Sequence, residues 1–355
     1  KWTVAPWRPF ANRDFVGALL LASIMTVSAA DNSFMPVEKQ ITAGAGGRIL
    51  SNARVWSPDS NWIVYDTRSD PAGSVFDGNN IEAINVHTGE IKRLFQSKNG
   101  AHCGIATFDP RTMKVVFVVG PEHPTSDWQY GFSHRHAVTL DFNHPGVAAN
   151  LDARDLTPPF QAGALRGGTH LFVWDAAGEW LSFTYNDALR DSNIRDVGVA
   201  IPGKPVHVGK DNPRNLDGNY SCFIVTRTLL QPRPGSDEIN RASEEAWIGT
   251  NGYIRLDGTR QKRAIAFQGQ VVAANGRNVE EVFVADLPDE LTADLIRAST
   301  NIESRPSPPV GISQRRLTFT ADKKFPGLQG PRHWLQSSPD GSRIAYFRSA
   351  GGMQA

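Results

Sequence analysis

The chain has 355 residues, 40% of them apolar and 21% charged, with a formal net charge of +1 at pH 7. That content supports a full buried core and excludes bulk disorder. The near-neutral balance excludes an electrostatic footprint for nucleic acid or anionic lipid, and the 32 Gly and 23 Pro favour short strands and many turns over long helices.

In chain order, the first feature is an apolar run. Arg13 precedes Phe15 to Val27, and Ser28-Ala29-Ala30 supply small residues suited to cleavage. The run has the length of a signal-peptide core and is too short to span a bilayer as a helix. Residues 1–30 are therefore expected to be a signal peptide. The mature protein, residues 31–355, would then be periplasmic or secreted, without a transmembrane segment; a translation start at Met35 would leave it cytoplasmic instead.

A short phrase then recurs. Val55 to Asp66 reads VWSPDSNWIVYD, and Gln336 to Phe347 reads QSSPDGSRIAYF. Thr107 to Val118 fits the same frame, with Phe108 on Trp56 and Pro110 on Pro58. Val173 to Tyr185 fits as well, with Trp174 on Trp56 and Ala176 in the proline place. Each copy predicts a hairpin. Pro presets φ, Asp caps the turn, Gly accepts positive φ, and the second strand alternates apolar residues. After the first copy, Ile81 to Phe95 adds two strand-like runs around Thr88-Gly89-Glu90. Four strands in about fifty residues make a propeller blade.

The expected fold is all-β: a β-propeller of four-stranded blades over approximately 52–95, 101–150, 166–210 and 218–287, with a fifth begun at 331–355. Lys39 to Thr42, within 38–51, is read as the closing strand. In the degenerate fourth blade, strands are expected at Ser221–Leu230, Arg263–Ala273 and Glu280–Pro288. Gln314 to Thr320 is the outer strand before the last copy. Ser236 to Trp247 reads as a short insertion helix, from the i, i+4 pairs Asp237/Arg241 and Arg241/Glu245 and an apolar stripe. Pro288 to Asn301 reads as another. Cys103 and Cys222 are expected on inner strands of non-adjacent blades, hence unbridged.

These phrases resemble the TolB-like (WD40-like) six-bladed propeller repeat. The longer stretches Asn99–Pro110, Gly120–Pro124, Leu165–His170, Leu181–Asp187 and Pro234–Trp247 are similar to the uncharacterised bacterial YidR-like family. The resemblance implies a six-bladed propeller, of which this chain would lack the C-terminal part, and no settled activity.

The usual nucleophile, metal and nucleotide motifs are absent from the sequence. What recurs is a polar residue at one place. His170 lies four residues before Trp174, His333 four before Ser337, Asn52 four before Trp56, and His102 six before Phe108. Even offsets put all four on one face of the innermost strand, toward the central channel. Arg166 and Arg332 stand nearby, and guanidinium forks recognise carboxylates or phosphates. The candidate ligand-binding set is therefore Asn52, His102, Arg166, His170, Arg332 and His333, with Glu244 or Glu245 as capping carboxylates. His102, His170 and His333 could also hold a divalent transition metal such as Mn, Zn or Fe. The bland alternative is that these histidines only bond neighbouring blades. His134 and His136 read as a solvated strand edge, and Asn186 and Asp187 as a blade corner. Two functions follow. One is a binding module in the cell envelope for a small anionic ligand, an oligosaccharide or an envelope protein. The other is a metal-dependent lyase on uronate oligosaccharides, similar to oligogalacturonate lyase.

Overall fold

Each Ser-Pro-Asp phrase closes its hairpin by the same side-chain network. Ser57 Oγ donates to Asp59 Oδ1 (2.5 Å) and accepts from the Trp62 amide (2.9 Å), while Asp59 Oδ1 also accepts the Asn61 amide (3.1 Å). Ser338, Asp340, Ser342 and Arg343 repeat it at 2.5, 3.0 and 3.0 Å. In the middle copies an aspartate stands in the serine's place. Asp109 accepts the Arg111 amide (2.7 Å) and Asp175 the Glu179 amide (2.9 Å). A short polar side chain that bonds its own backbone fixes a tight turn, whichever of the two residues supplies it.

The computed structural model describes residues 3–4, 38–291 and 305–349. Apart from residues 3–4, the expected signal peptide lies outside these residues, as does most of the helix expected at 288–301. Four antiparallel sheets of four strands follow in chain order. The first holds β2 (Gly47–Ile49), β3 (Trp62–Arg68), β4 (Asn80–Asn85) and β5 (Ile91–Gln96). The second holds β6 (Cys103–Phe108), β7 (Lys114–Val119), β8 (His136–Asp141) and β9 (Ala148–Asn150). The third holds β10 (Gly167–Trp174), β11 (Leu181–Asp187), β12 (Arg195–Val206) and β13 (Gly218–Ile224). The fourth holds β14 (Ile239–Trp247), β17 (Arg263–Val272), β18 (Asn278–Leu287) and β19 (Ser313–Arg316). A small hairpin, β15 (Tyr253–Ile254) with β16 (Arg260–Gln261), projects between β14 and β17. A last sheet joins β20 (Gln336–Ser337), β21 (Ile344–Tyr346) and β1 (Thr3–Val4).

These sheets are the blades of a propeller, and the apolar clusters lie between successive blades. Val64, Ile81, Phe108 and Phe117 join the first to the second; Val116, Trp174, Phe183 and Tyr185 join the second to the third. Val199, Phe223, Phe267 and Phe283 join the third to the fourth. A sheet buried on both faces needs apolar residues on both, which explains the fully buried run of β11.

Several expectations need correction. No helix occurs among the described residues. Ser236–Trp247 is not an insertion: its body is β14, the innermost strand of the fourth blade. As a helix it would leave the edge of β17 unpaired, whereas as a strand it completes the ladder. Asp237 pairs with Arg316 of β19 (3.3 Å) rather than within a helix. Gly218–Ile224, read as opening the fourth blade, is the outer strand of the third. Ser313–Arg316 is an outer strand, as expected. Lys39–Thr42 forms no strand, and the first blade begins at Gly47. Cys103 lies on an inner strand, but Cys222 lies on the outer strand of the adjacent blade; both are free and buried.

Candidate anion site at the channel mouth

In a four-stranded antiparallel blade, the start of the inner strand, the end of the second and the start of the third share one edge. Arginines gather at that edge. Arg68 ends β3, Arg135 immediately precedes β8, Arg195 opens β12, Arg241 lies in β14 and Arg332 precedes β20. Four of them, Arg68, Arg135, Arg195 and Arg332, come from four different sheets and act on His170 of β10, while Arg241 acts on Arg195. Its imidazole is held neutral, well below its usual range, by burial first and then by the charges of Arg135, Arg195, Arg332 and Arg68.

Arg135 and Arg195 are held by groups that leave donors over. Arg135 is 2% exposed; its Nε donates to the Thr169 carbonyl (2.9 Å) and its Nη1 to the Tyr130 hydroxyl (2.9 Å). Its Nη2 has no partner among the described residues. Arg195 donates from Nε to Asn186 Oδ1 (3.3 Å). Burial, then repulsion from Arg135 and Arg241, lowers its guanidinium to about 10. Arg68 is paired with Asp66, whose second oxygen accepts the Ile105 amide (2.7 Å).

Two loops supply aromatic faces between the cations. Residues 69–79 bring Phe76, which carries Arg68 at 4.2 Å and stacks on Tyr130 at 4.5 Å and 13°. Residues 120–135 bring Tyr130 and Phe132. Phe132 is 60% exposed, and the guanidinium carbons of Arg135 and Arg195 each stand 5.0 Å from its ring centroid. This loop crosses the start of β10 so closely that a Cβ on Gly168 would meet the Phe132 carbonyl at 2.3 Å. Glycine there is what lets the loop lie across the mouth.

The acidic side is β14. Glu244 Oε1 accepts Arg332 Nε at 2.8 Å. Glu245 is buried with no other residue bonded to its carboxyl oxygens among the described residues; burial, against the pull of its own backbone amide and with the charge of Glu244, pushes it up to about 8. Both were expected to cap the channel from a helix; they sit in its wall.

The structure brings together only part of the expected set. His170 and Arg332 belong to the cluster. Arg166 does not: it is buried, bonded to Asp187 (2.6 Å), and under Phe160 at 4.9 Å. His102 is outside the cluster, bonded to Asn79 (3.4 Å) with its ring edge toward Tyr130. His333 has both ring nitrogens engaged, Nδ1 with the Pro331 carbonyl (3.0 Å) and Nε2 accepting the Phe347 amide (3.1 Å). Asn52 lies between β2 and the Trp56 bridge, its Oδ1 buried without a partner among the described residues. No group of three or more His, Cys, Asp or Glu among the described residues is placed to hold a metal ion, so His102, His170 and His333 do not form one there. Asn186 orients Arg195, and Asp187 binds Arg166 and caps the turn at Leu189 and Arg190. His134 stacks on Trp128 at 3.9 Å.

Arg68, Arg135, Arg195 and Arg241 were missed in the sequence. The signal was present in Asp66-Thr67-Arg68, Arg135 between His134 and His136, and Ile194-Arg195-Asp196: an arginine at each blade corner. A cavity of about 780 Å³ lies elsewhere, between the fourth sheet and the terminal hairpin, lined by Ile248, Val284, Leu317 and Tyr346, and holds none of these arginines.

Residues 102–216 match the family model described as a protein of unknown function (DUF3748). The chain is 41% identical over 322 residues to the uncharacterized protein YidR of Escherichia coli (strain K12), covering 87% of this chain and 73% of that one. An oligogalacturonate lyase solved in complex with manganese aligns over 88% of the chain at 14% identity and a TM-score of 0.44; the chain spans 61% of that protein's length.

Proposed function

We propose, for a chain that belongs to the YidR family, that the channel mouth binds a small anionic ligand of the acidic-oligosaccharide class, as a binding module of the cell envelope. One observation carries the reading: arginines from four different sheets act together on a buried, neutral His170. Guanidinium forks match carboxylate geometry, and such charge-assisted bonds strengthen where water is scarce. Phe132 offers an exposed apolar face beside two of those forks, suited to the ring of a sugar acid. The envelope location rests on the apolar run Phe15 to Val27 and is tested by fractionation.

The lyase reading, with Mn, Zn or Fe, has one observation in its favour: His170 is a neutral, metal-competent imidazole. The same guanidiniums that repel a proton there would repel a divalent cation more strongly. Elemental analysis separates the readings. Stoichiometric metal that is lost in His170→Ala supports the lyase.

The binding test is calorimetry with a galacturonate oligomer and its uncharged galactose counterpart. The acid should bind, the neutral sugar should not, and affinity should fall with added salt. Equal binding of both, or of neither, contradicts the proposal.

A further inference from the structure

The innermost strands share one irregularity. In the second, third and fourth blades the register slips, and Ile105, Leu171 and Glu244 there take φ of 61°, 53° and 52°. Such bulges re-aim the residues that follow. The next residue in each is Ala106, Phe172 and Glu245. Ala106 and Phe172 are buried in the apolar seams between blades. Glu245 is as deeply buried, 1% exposed, and its carboxyl has no hydrogen-bond partner beyond its own backbone amide among the described residues. The fold fills this place twice with an apolar group, so packing does not call for a carboxyl. Burying one unpaired costs stability.

Two of the charged groups near it are shared with the channel site. The charges that act on Glu245 are Glu244 from its own strand, Arg195 from the third blade and Arg332 from the terminal segment. Arg195 and Arg332 also act on His170. Glu244 is already bonded to Arg332, and Arg195 directs its Nε to Asn186.

We infer that Glu245 is the proton-carrying group of this site, a carboxylic acid that donates its O–H to an oxygen of the bound anion. The inference rests on the anion-binding reading. The arginines supply N–H donors to the charged oxygens, and Glu245 supplies one more to a neighbouring acceptor. The ligand class is then a carboxylate with a second oxygen beside it, as in a hydroxy acid or sugar acid. When Glu245 loses its proton it loses its donor and sets a negative charge against the ligand. Its carboxyl stands at about 8, so binding should weaken above that pH.

Two variants test this with the galacturonate oligomer. Glu245→Gln keeps an N–H donor. Glu245→Leu restores the apolar class found at Ala106 and Phe172, so it should fold at least as stably. Above about pH 8 the wild-type dissociation constant should rise about tenfold per pH unit. The glutamine variant should bind within about threefold of wild type at neutral pH and lack that rise. The leucine variant should bind at least about tenfold more weakly. Carboxyl carbon NMR of the unliganded protein should show one group titrating above neutrality that is missing in Glu245→Gln. Wild-type binding with an unchanged pH profile in both variants, or no such carboxyl, overturns the inference alone. No wild-type binding at any pH sinks the anion-binding reading itself.

Discussion

The two ends of the blades are built differently. At the turn end, Ser57 with Asp59, Ser338 with Asp340, Asp109 and Asp175 repeat one closed network in which polar atoms are satisfied by neighbours a few residues away. At the mouth end, the repeat breaks. Each blade contributes a different arginine, the loops differ, and among the described residues Arg135 Nη2 has no partner and the Glu245 carboxyl none from another residue. What repeats holds the fold, because identical turns do identical work. What departs from the repeat holds buried polar atoms without partners, which stability alone does not favour.

The largest effect expected is at Glu245. Its folded value, about 8, lies above its ordinary value of 4.5. Below about pH 4.5 the carboxyl is protonated folded or unfolded. As pH rises toward 8 only the unfolded chain ionises, so stability is lost across that window, by on the order of 1.4 kcal/mol per pH unit. Glu245→Gln should remove that slope in chemical unfolding measured from acid to mild alkali. An unchanged slope would make the mouth as ordinary as the turns.

Arg195→Met comes next. It should weaken anion binding by about 1.5–3 kcal/mol while leaving stability equal or higher, because it relieves repulsion from Arg135 and Arg241. Calorimetry beside a melting curve checks both halves. The reverse pattern belongs to Ser57→Ala at the turn end. It should cost about 1 kcal/mol of stability and leave binding unmoved. Phe132→Ala is the smallest. It removes an exposed face between two cations, and affinity should drop by about 0.5–1 kcal/mol.

The same division decided what could be read from the sequence. The turn phrases are local, so four hairpins were legible from Pro58, Pro110, Ala176 and Pro339, and the second blade followed whole, while the first lacked its inner strand Gly47–Ile49 and the third its outer strand Gly218–Ile224. The inner strand of the fourth was not legible. Its bulge at Glu244 breaks the period-two alternation, and the spacing of Asp237, Arg241 and Glu245 mimics a helix face. His170 was found because it sits at a repeated offset, and Arg332 because it adjoins His333, which shares that offset. The match of His102 and His333 to that offset was real, but neighbouring blades and the terminal segment engage their rings. Arg68, Arg135 and Arg195 lie at the ends of second strands or the starts of third ones. Only closure of the blades about one axis brings those places together.

The most direct measurement of the central claim is anomalous diffraction from crystals of the whole chain soaked in bromide. The account predicts a bromide site between Arg135, Arg195 and His170, absent in Arg195→Met. Bromide only on the outer surface, or a divalent cation bound by His170 among the arginines, would contradict it.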